Sequence, residues 1–288
     1  MKVKNLVDIG IKDGCGRPVL MEKKVQYPHD ALNEVICADA MGELEKIPDE
    51  SINLILTDIP YGETGNDWDK DDIDLGFLMS QFGRILKKDG CVAMTATMRM
   101  AVEIIKSVNL WRSPNYRLNY KYEWVWEKDN GTNVLSANHQ PLRVHEFVLI
   151  FGKQAVTYTP RNLYMKYHPQ KTEGKPYKQV SGKQSKNWKG GKVEGFETNN
   201  EDGMRHPRTV QFFKRDKDKL HPTQKPVALF EYLIKTYTNK DDIVLDPFIG
   251  SGTTAVAAKM LGRNYIGIEK NFEYIKIAED RLRQKVLF

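Results

Sequence analysis

An α/β fold built on a mostly parallel sheet is the architecture this sequence predicts, and three observations carry it. Strand-like and helix-like runs alternate along the chain on both sides of a basic, aperiodic segment. Near the C-terminus, "VLDPFIGSGTTA" sets a strand, a glycine-rich turn and a helix start in succession. Earlier, the apolar run in "LILTDIPYG" stops on an acid, a proline and a tyrosine, at the kind of strand end where open sheets place ligands.

The elements follow in order. "EVICADA" reads as a strand, "AMGELEKI" as a short helix, "INLILTD" as a buried strand, and "LGFLMSQFGRILKKDG" as an amphipathic helix closed by Gly90. "CVAMTAT" is a further strand, "RMAVEIIKSVNLW" a helix, and "YKYEWVWEK" and "HEFVLIFGK" are two more strand-like runs. After the basic segment come a helix "VALFEYLIKTYT", a strand "DIVLDPF", a helix "TTAVAAKMLG", a strand "NYIGIE" and a last helix "FEYIKIAEDRLRQKV". Alternation of this kind places helices on both faces of the sheet.

Composition narrows the function classes. The 288 residues suffice for one large core with an insertion. Cys15, Cys37 and Cys91 are scattered, without C-x-x-C spacing or paired histidines nearby, so neither a disulfide framework nor a metal site is expected. Cys37 and Cys91 read as small core fillers. No signal-peptide core and no stretch near the roughly 18 apolar residues of a membrane span are present, so a cytoplasmic setting without membrane attachment is expected. The net charge of +6 is concentrated: 16 Lys and Arg stand against 7 Asp and Glu between Lys153 and Lys219, and the remainder is slightly acidic. Tyr164, Tyr167, Tyr177, Trp188, Phe196, Phe212 and Phe213 are interleaved with that charge. The mixture suits a nucleic-acid surface, with a solvated basic loop as the bland alternative.

In "VLDPFIGSGTTA", Gly250, Ser251 and Gly252 let the backbone approach a ligand at a positive helix N-terminus, which favours an anionic group. Glu269 ends the next strand, where its carboxylate can accept hydrogen bonds from ribose hydroxyls. Together they make an adenosine-type site. Gly250, Gly252 and Ala255 also satisfy the dinucleotide pattern G-x-G-x-x-G/A, so a dehydrogenase stays open on this element. Against it, only 19 residues follow Glu269, so the missing strands are expected from earlier in the chain and the sheet reads as circularly permuted.

Three motifs, in order, carry a family resemblance. "TDIPYG" resembles the D-P-P-Y catalytic motif of amino-group DNA methyltransferases, "LDPFIGSGTT" resembles their S-adenosylmethionine motif, and "HPTQKP" (His221 to Pro226) resembles their third cofactor motif. The order is that of the permuted β group, most like site-specific adenine methyltransferases. The resemblance implies a Rossmann-like methyltransferase fold on a circularly permuted, mixed seven-stranded sheet with an inserted target-recognition region. It divides the chain into an N-terminal extension (1–33), a catalytic half (34–153), a basic target-recognition insert (154–219) and a cofactor-binding half (220–288). DNA is the implied partner, and a homodimer is common in that group.

Residue by residue, the resemblance places Asp246, Phe248, Gly250, Ser251, Gly252 and Thr253 around the methionine end of S-adenosylmethionine, Glu269 at its ribose and Asp39 at its adenine. Asp39 also reads as a plain helix N-cap. Thr223, Gln224 and Lys225 would close over the methionine carboxylate. Asp58, Ile59, Pro60 and Tyr61 would form the catalytic edge, and Arg161, Lys189, Arg205 and Arg208 would contact DNA. His139, His145 and Trp126 read as structural rather than catalytic.

The chemistry explains the motif. An exocyclic base amine is a poor nucleophile, so alignment must supply much of the acceleration. Asp58 and the carbonyl of residue 59 can each accept one amine hydrogen, Tyr61 offers a stacking face, and Asp58 stabilises the cationic product. Such geometry requires a flipped base. An acid at position 58 goes mostly with adenine in this family, whereas serine there goes with cytosine-N4. Ile59 departs from the family proline and loosens the backbone restraint on Asp58. A DNA-binding protein with a weak methyltransferase fold therefore remains the alternative from another class.

Overall fold

The computed structural model describes residues 6–12, 18–22, 25–60, 73–110, 117–153, 164–180, 197–216 and 224–284. They form two compact units, one reaching His168 and resuming at Thr209, the other running from Pro169 to Arg208.

The larger unit is organised by one eight-stranded sheet. In chain order its strands are β3 (Glu34–Cys37), β4 (Ile52–Thr57), β5 (Leu86–Ala96), β6 (Asn119–Thr132), β7 (Arg143–Gly152), β10 (Val210–Phe212), β11 (Ile243–Asp246) and β12 (Asn264–Glu269). In space they run β10-β6-β7-β5-β4-β11-β12-β3. β7 is antiparallel to both its neighbours, and every other pairing is parallel. The seven strands expected from the sequence are thus joined by an eighth, the three-residue edge strand β10. Its alternating exposed and half-buried residues lie in the aperiodic basic segment, where no apolar run announces them.

Helices cover both faces. α1 (Ala40–Leu44), α2 (Leu75–Ile85) and α3 (Met98–Leu110) send Leu44, Leu78, Phe82 and Ile104 into one buried cluster with Ile55, Val92, Met94 and Leu245. On the opposite face, α4 (Val227–Tyr237), α5 (Thr253–Met260) and α6 (Phe272–Arg283) send Phe230, Leu233, Ala257 and Ile275 against Leu54, Leu56, Ala93 and Val244. Leu54, Ile55 and Leu56 of β4 alternate between the two clusters, as the period of two demands. The α2 helix stops earlier than its sequence pattern suggests. Leu86 is fully buried and already paired with Ile52, so the chain up to Gly90 belongs to β5 rather than to the helix. Cys91 is buried in the core, while Cys37 is only partly covered.

Two smaller hairpins lie outside this sheet. β1 (Leu6–Lys12) pairs with β2 (Pro18–Glu22). In the second unit β8 (Tyr177–Val180) pairs with β9 (Glu197–Asn200), and Thr172 bridges Arg205. No described helix is long and apolar enough to cross a membrane.

Candidate active site

The strand order locates the site. From β4 the chain crosses to β5 on one side, and from β11 it crosses to β12 on the other, although β4 and β11 are hydrogen-bonded neighbours. The carboxyl ends of two strands whose connections diverge leave a crevice between them. A cavity of about 860 Å³ opens there, lined by Asp39, Asp58, Ile59 and Pro60 from the first part of the chain and by Asp246, Phe248, Gly250, Ser251, Thr253 and Glu269 from the last.

Local chain geometry shapes one wall. β11 ends on the buried Asp246, which accepts from Thr57 Oγ1 at 2.8 Å, from the Phe248 amide at 3.1 Å and from Thr254 Oγ1. Burial nevertheless outweighs these three donors and pushes its carboxyl up to about 7. The turn that follows uses two glycines with positive φ, +50° at Gly250 and +86° at Gly252. They differ in purpose. A Cβ at Gly252 would stand 2.7 Å from Ala278 Cβ, so this glycine lets α6 pack against the turn, whereas a Cβ at Gly250 would meet nothing within 4 Å and would project into open space. Gly250 N–H donates to Glu269 Oε2 at 2.9 Å and Asn271 N–H to Oε1 at 2.8 Å. Burial raises the Glu269 carboxyl above its ordinary range despite those amides. Arg281 braces the turn from α6, donating to Ser251 O at 2.7 Å and Thr253 Oγ1 at 3.2 Å.

The opposite wall is a chain of buried charges drawn from distant segments. Lys225 Nζ lies 2.6 Å from Asp58 Oδ2 and 3.4 Å from Glu146 Oε2, with its side chain only 7% exposed. Glu146 also pairs with Lys128, and Thr95 Oγ1 donates to Asp58 Oδ1. Burial disfavours the Lys225 ammonium, but Asp58 and Glu146 together outweigh it and hold its pKa above the ordinary lysine value. Burial likewise opposes the Glu146 charge, and the two lysines overcome it and lower its pKa. Both Asp58 oxygens are therefore held in place.

Sequence and structure comparisons identify the family. A family model described as DNA methylase of the N6/N4 type matches residues 52–280. The chain belongs to this family. The methylase is 33% identical over 266 residues to the DNA adenine methyltransferase YhdJ of Escherichia coli strain K12, covering 86% of this chain and 82% of the relative. It is 31% identical over 257 residues to the type II methyltransferase M.HpaI of Haemophilus parainfluenzae, covering 86% and 73%. Among solved structures, the M1.HpyAVI–SAM complex aligns with a TM-score of 0.59 at 24% identity over 86% of this chain and 98% of that one. The cytosine-N4-specific PvuII methyltransferase aligns with a TM-score of 0.61 at 17% identity over 88% of each chain. The family transfers a methyl group from S-adenosylmethionine to DNA, and this chain is such an enzyme.

The residues present fit that cofactor. Gly250 leaves a cradle that a side chain would fill, the α5 N-terminus beside it favours a carboxylate, and the Glu269 carboxylate stands at the far strand end in the same cavity. Of the residues singled out from sequence, Asp39, Asp58, Ile59, Pro60, Gln224, Lys225, Asp246, Phe248, Gly250, Ser251, Thr253 and Glu269 line this one cavity. Asp39 also caps α1, accepting from Gly42 N–H at 3.1 Å, as its N-cap reading expects. Gly252 sits behind the wall, against α6. Tyr61, Thr223, Arg161 and Lys189 lie outside the described residues. Arg205 and Arg208 belong to the second unit. There Arg205 stacks over the Tyr177 ring at 4.3 Å and donates to Lys175 O and Asn200 Oδ1. Ile59, only 2% exposed, packs into the core cluster, which anchors the position by burial where proline would restrain it by its ring.

Glu146, Lys128, Thr95 and Arg281 were not anticipated from sequence. Lys128 and Glu146 lie in strands that carry several other charges, so nothing local singled them out. Trp126 and His145, read as structural, also line the cavity, and Trp126 Nε1 donates to Phe213 O at 2.9 Å. Among the described residues, no group of three or more His, Cys, Asp or Glu is placed to hold a metal ion.

Proposed function

We propose that the enzyme methylates the exocyclic N6 of an adenine flipped out of a short DNA target. One observation carries the reading: the Asp58 carboxylate, clamped between Lys225 and Thr95, stands at the mouth of β4 in the same cavity as the Gly250 turn and Glu269. S-adenosylmethionine supplies an electrophilic methyl group when bound. Asp246, Phe248, Gly250, Ser251, Gly252 and Thr253 would hold its methionine end, Glu269 its ribose and Asp39 its adenine, with Thr223 and Gln224 closing over the carboxylate; Lys225, expected beside them, pairs with Asp58 instead.

Asp58 and the carbonyl of Ile59 accept the two amine hydrogens, so that the nitrogen lone pair points into the cavity. Tyr61 stacks on the base and Pro60 keeps the turn extended. Lys225 fixes the rotamer of Asp58 and balances its charge before the base arrives. Asp58 then stabilises the cation that the amine becomes. Residues 154–219 read the target, with Arg161, Lys189, Arg205 and Arg208 toward phosphates and base edges, between a catalytic half (34–153) and a cofactor half (220–288). Adenine is favoured by the acid at position 58 and by the likeness to an adenine methyltransferase at 33% identity. A cytoplasmic setting and a homodimer complete the proposal, and several relatives are named type II methyltransferases.

Long-read sequencing of DNA from cells expressing the protein, together with nucleoside mass spectrometry, tests this directly. N6-methyladenine at one recurrent sequence, absent with Asp58→Ala, is expected. N4-methylcytosine without N6-methyladenine would overturn the base assignment.

A further inference from the structure

The connection between β6 and β7 is built as a firm apolar tip. Thr132 pairs with Arg143 at its base, and Thr132 Oγ1 donates to Arg143 O at 3.3 Å. Above that pair Asn133 takes φ +68°, a conformation asparagine tolerates better than most residues. The turn then closes on itself: Ser136 N–H donates to Asn133 O at 3.0 Å, Ala137 N–H to Val134 O at 3.1 Å and Gln140 N–H to Ser136 O at 3.0 Å. Two of its apolar side chains stand in solvent, Val134 at 69% exposed and Leu135 at 103%.

One exposed leucine is ordinary on a protein surface. Two adjacent apolar side chains held outward by a hydrogen-bonded turn become informative through where they stand. Both legs of the hairpin line the active-site cavity, through Trp126, Lys128 and Thr132 on β6 and through Arg143 and His145 on β7. A duplex that presents a base to this cavity therefore meets the tip in the same encounter. Extruding a base leaves a gap in the stack, and apolar side chains enter such gaps because they replace lost stacking surface without needing hydrogen-bond partners.

We infer that Val134 and Leu135 form a wedge that enters the DNA stack and holds open the gap left by the flipped base. This rests on the reading of the cavity as a flipped-base site. The tip acts on the flipping equilibrium and makes no contact with the reacting atoms.

The test uses the full chain carrying Val134→Ser and Leu135→Ser, with Leu135→Met as the conservative variant. Methyl transfer from tritiated S-adenosylmethionine is followed into a duplex holding the mapped target, and into the same duplex with the target adenine mispaired, which flips at lower cost. The double variant should lose about tenfold in rate on the matched duplex and less than about threefold on the mispaired one, with Leu135→Met close to wild type. A matching 2-aminopurine duplex should show a fluorescence rise with wild type and little with the double variant. Equal losses on both duplexes, or no loss on the matched one, would overturn the wedge. So would a shift of the double variant toward monomer in sedimentation, which would make the tip a self-association contact. Absence of transfer by wild type into any DNA would instead overturn the reading of the cavity.

Discussion

The two walls of the cavity are made in opposite ways. The cofactor wall is a run of consecutive residues, Asp246 to Thr254, whose geometry comes from two positive-φ glycines and backbone amides aimed at carboxylates. The catalytic wall is assembled from Asp58, Thr95, Lys128, Glu146 and Lys225, which meet only because four strands and a helix start converge. A wall made of backbone is fixed by local conformation. A wall made of paired charges depends on every member being present, because each buried ion relies on its neighbour.

That contrast sets the order of expected effects. Removing the acid should be the most severe: Asp58→Ala is expected to cut methyl transfer by roughly a thousandfold or more while circular dichroism shows the fold retained. Next is Lys225→Met, which removes the cation shared by two largely covered carboxylates; a loss of about 3–5 kcal/mol in urea unfolding is expected, with Glu146→Gln well below it. Equal, small losses for both would show that the charge chain does not act as a unit.

The glycines sharpen the other side of the comparison. Gly252→Ala forces a Cβ into α6 as well as straining φ, and about 2–4 kcal/mol of stability should be lost. Gly250→Ala should cost about 1 kcal/mol, yet weaken S-adenosylmethionine binding several-fold by calorimetry, because its Cβ enters the cradle rather than the core. The reverse ranking would break the distinction drawn between them.

A further expected effect is a pH dependence. Asp246 has a carboxyl pKa of about 7 in the fold against an ordinary 3.8, so it binds its proton more tightly when folded. Its contribution to stability is complete below about pH 4 and is lost as pH rises through about 7. The melting temperature of wild type relative to Asp246→Asn should therefore fall steadily between those limits. A constant difference would mean that burial does not govern this group.

Legibility in the sequence follows the same division. The alternation of strands and helices, the permuted order and the glycine turn were readable because each depends on residues close in sequence. The helix end at Ile85 was misplaced because the continuing apolar pattern of Leu86 serves a strand, a choice made by its pairing with Ile52 rather than by local propensity. β10 went unseen because an exposed edge strand needs no apolar run. Asp58 was found through its neighbours in the chain, whereas Glu146 had none that marked it. Its importance lies in a lysine 79 positions away, and no local period encodes that distance.

The hydrogen bond from Thr57 to Asp246 joins the strand that presents the acid to the strand that presents the cofactor turn, across 189 positions of sequence. Since that seam is closed by the sheet itself, the second unit, Pro169 to Arg208, is not needed to keep the two together. A descendant of this protein can exchange that unit and inherit the chemistry whole; if the unit reads the target, as proposed above, new addresses arise without reinventing the pen.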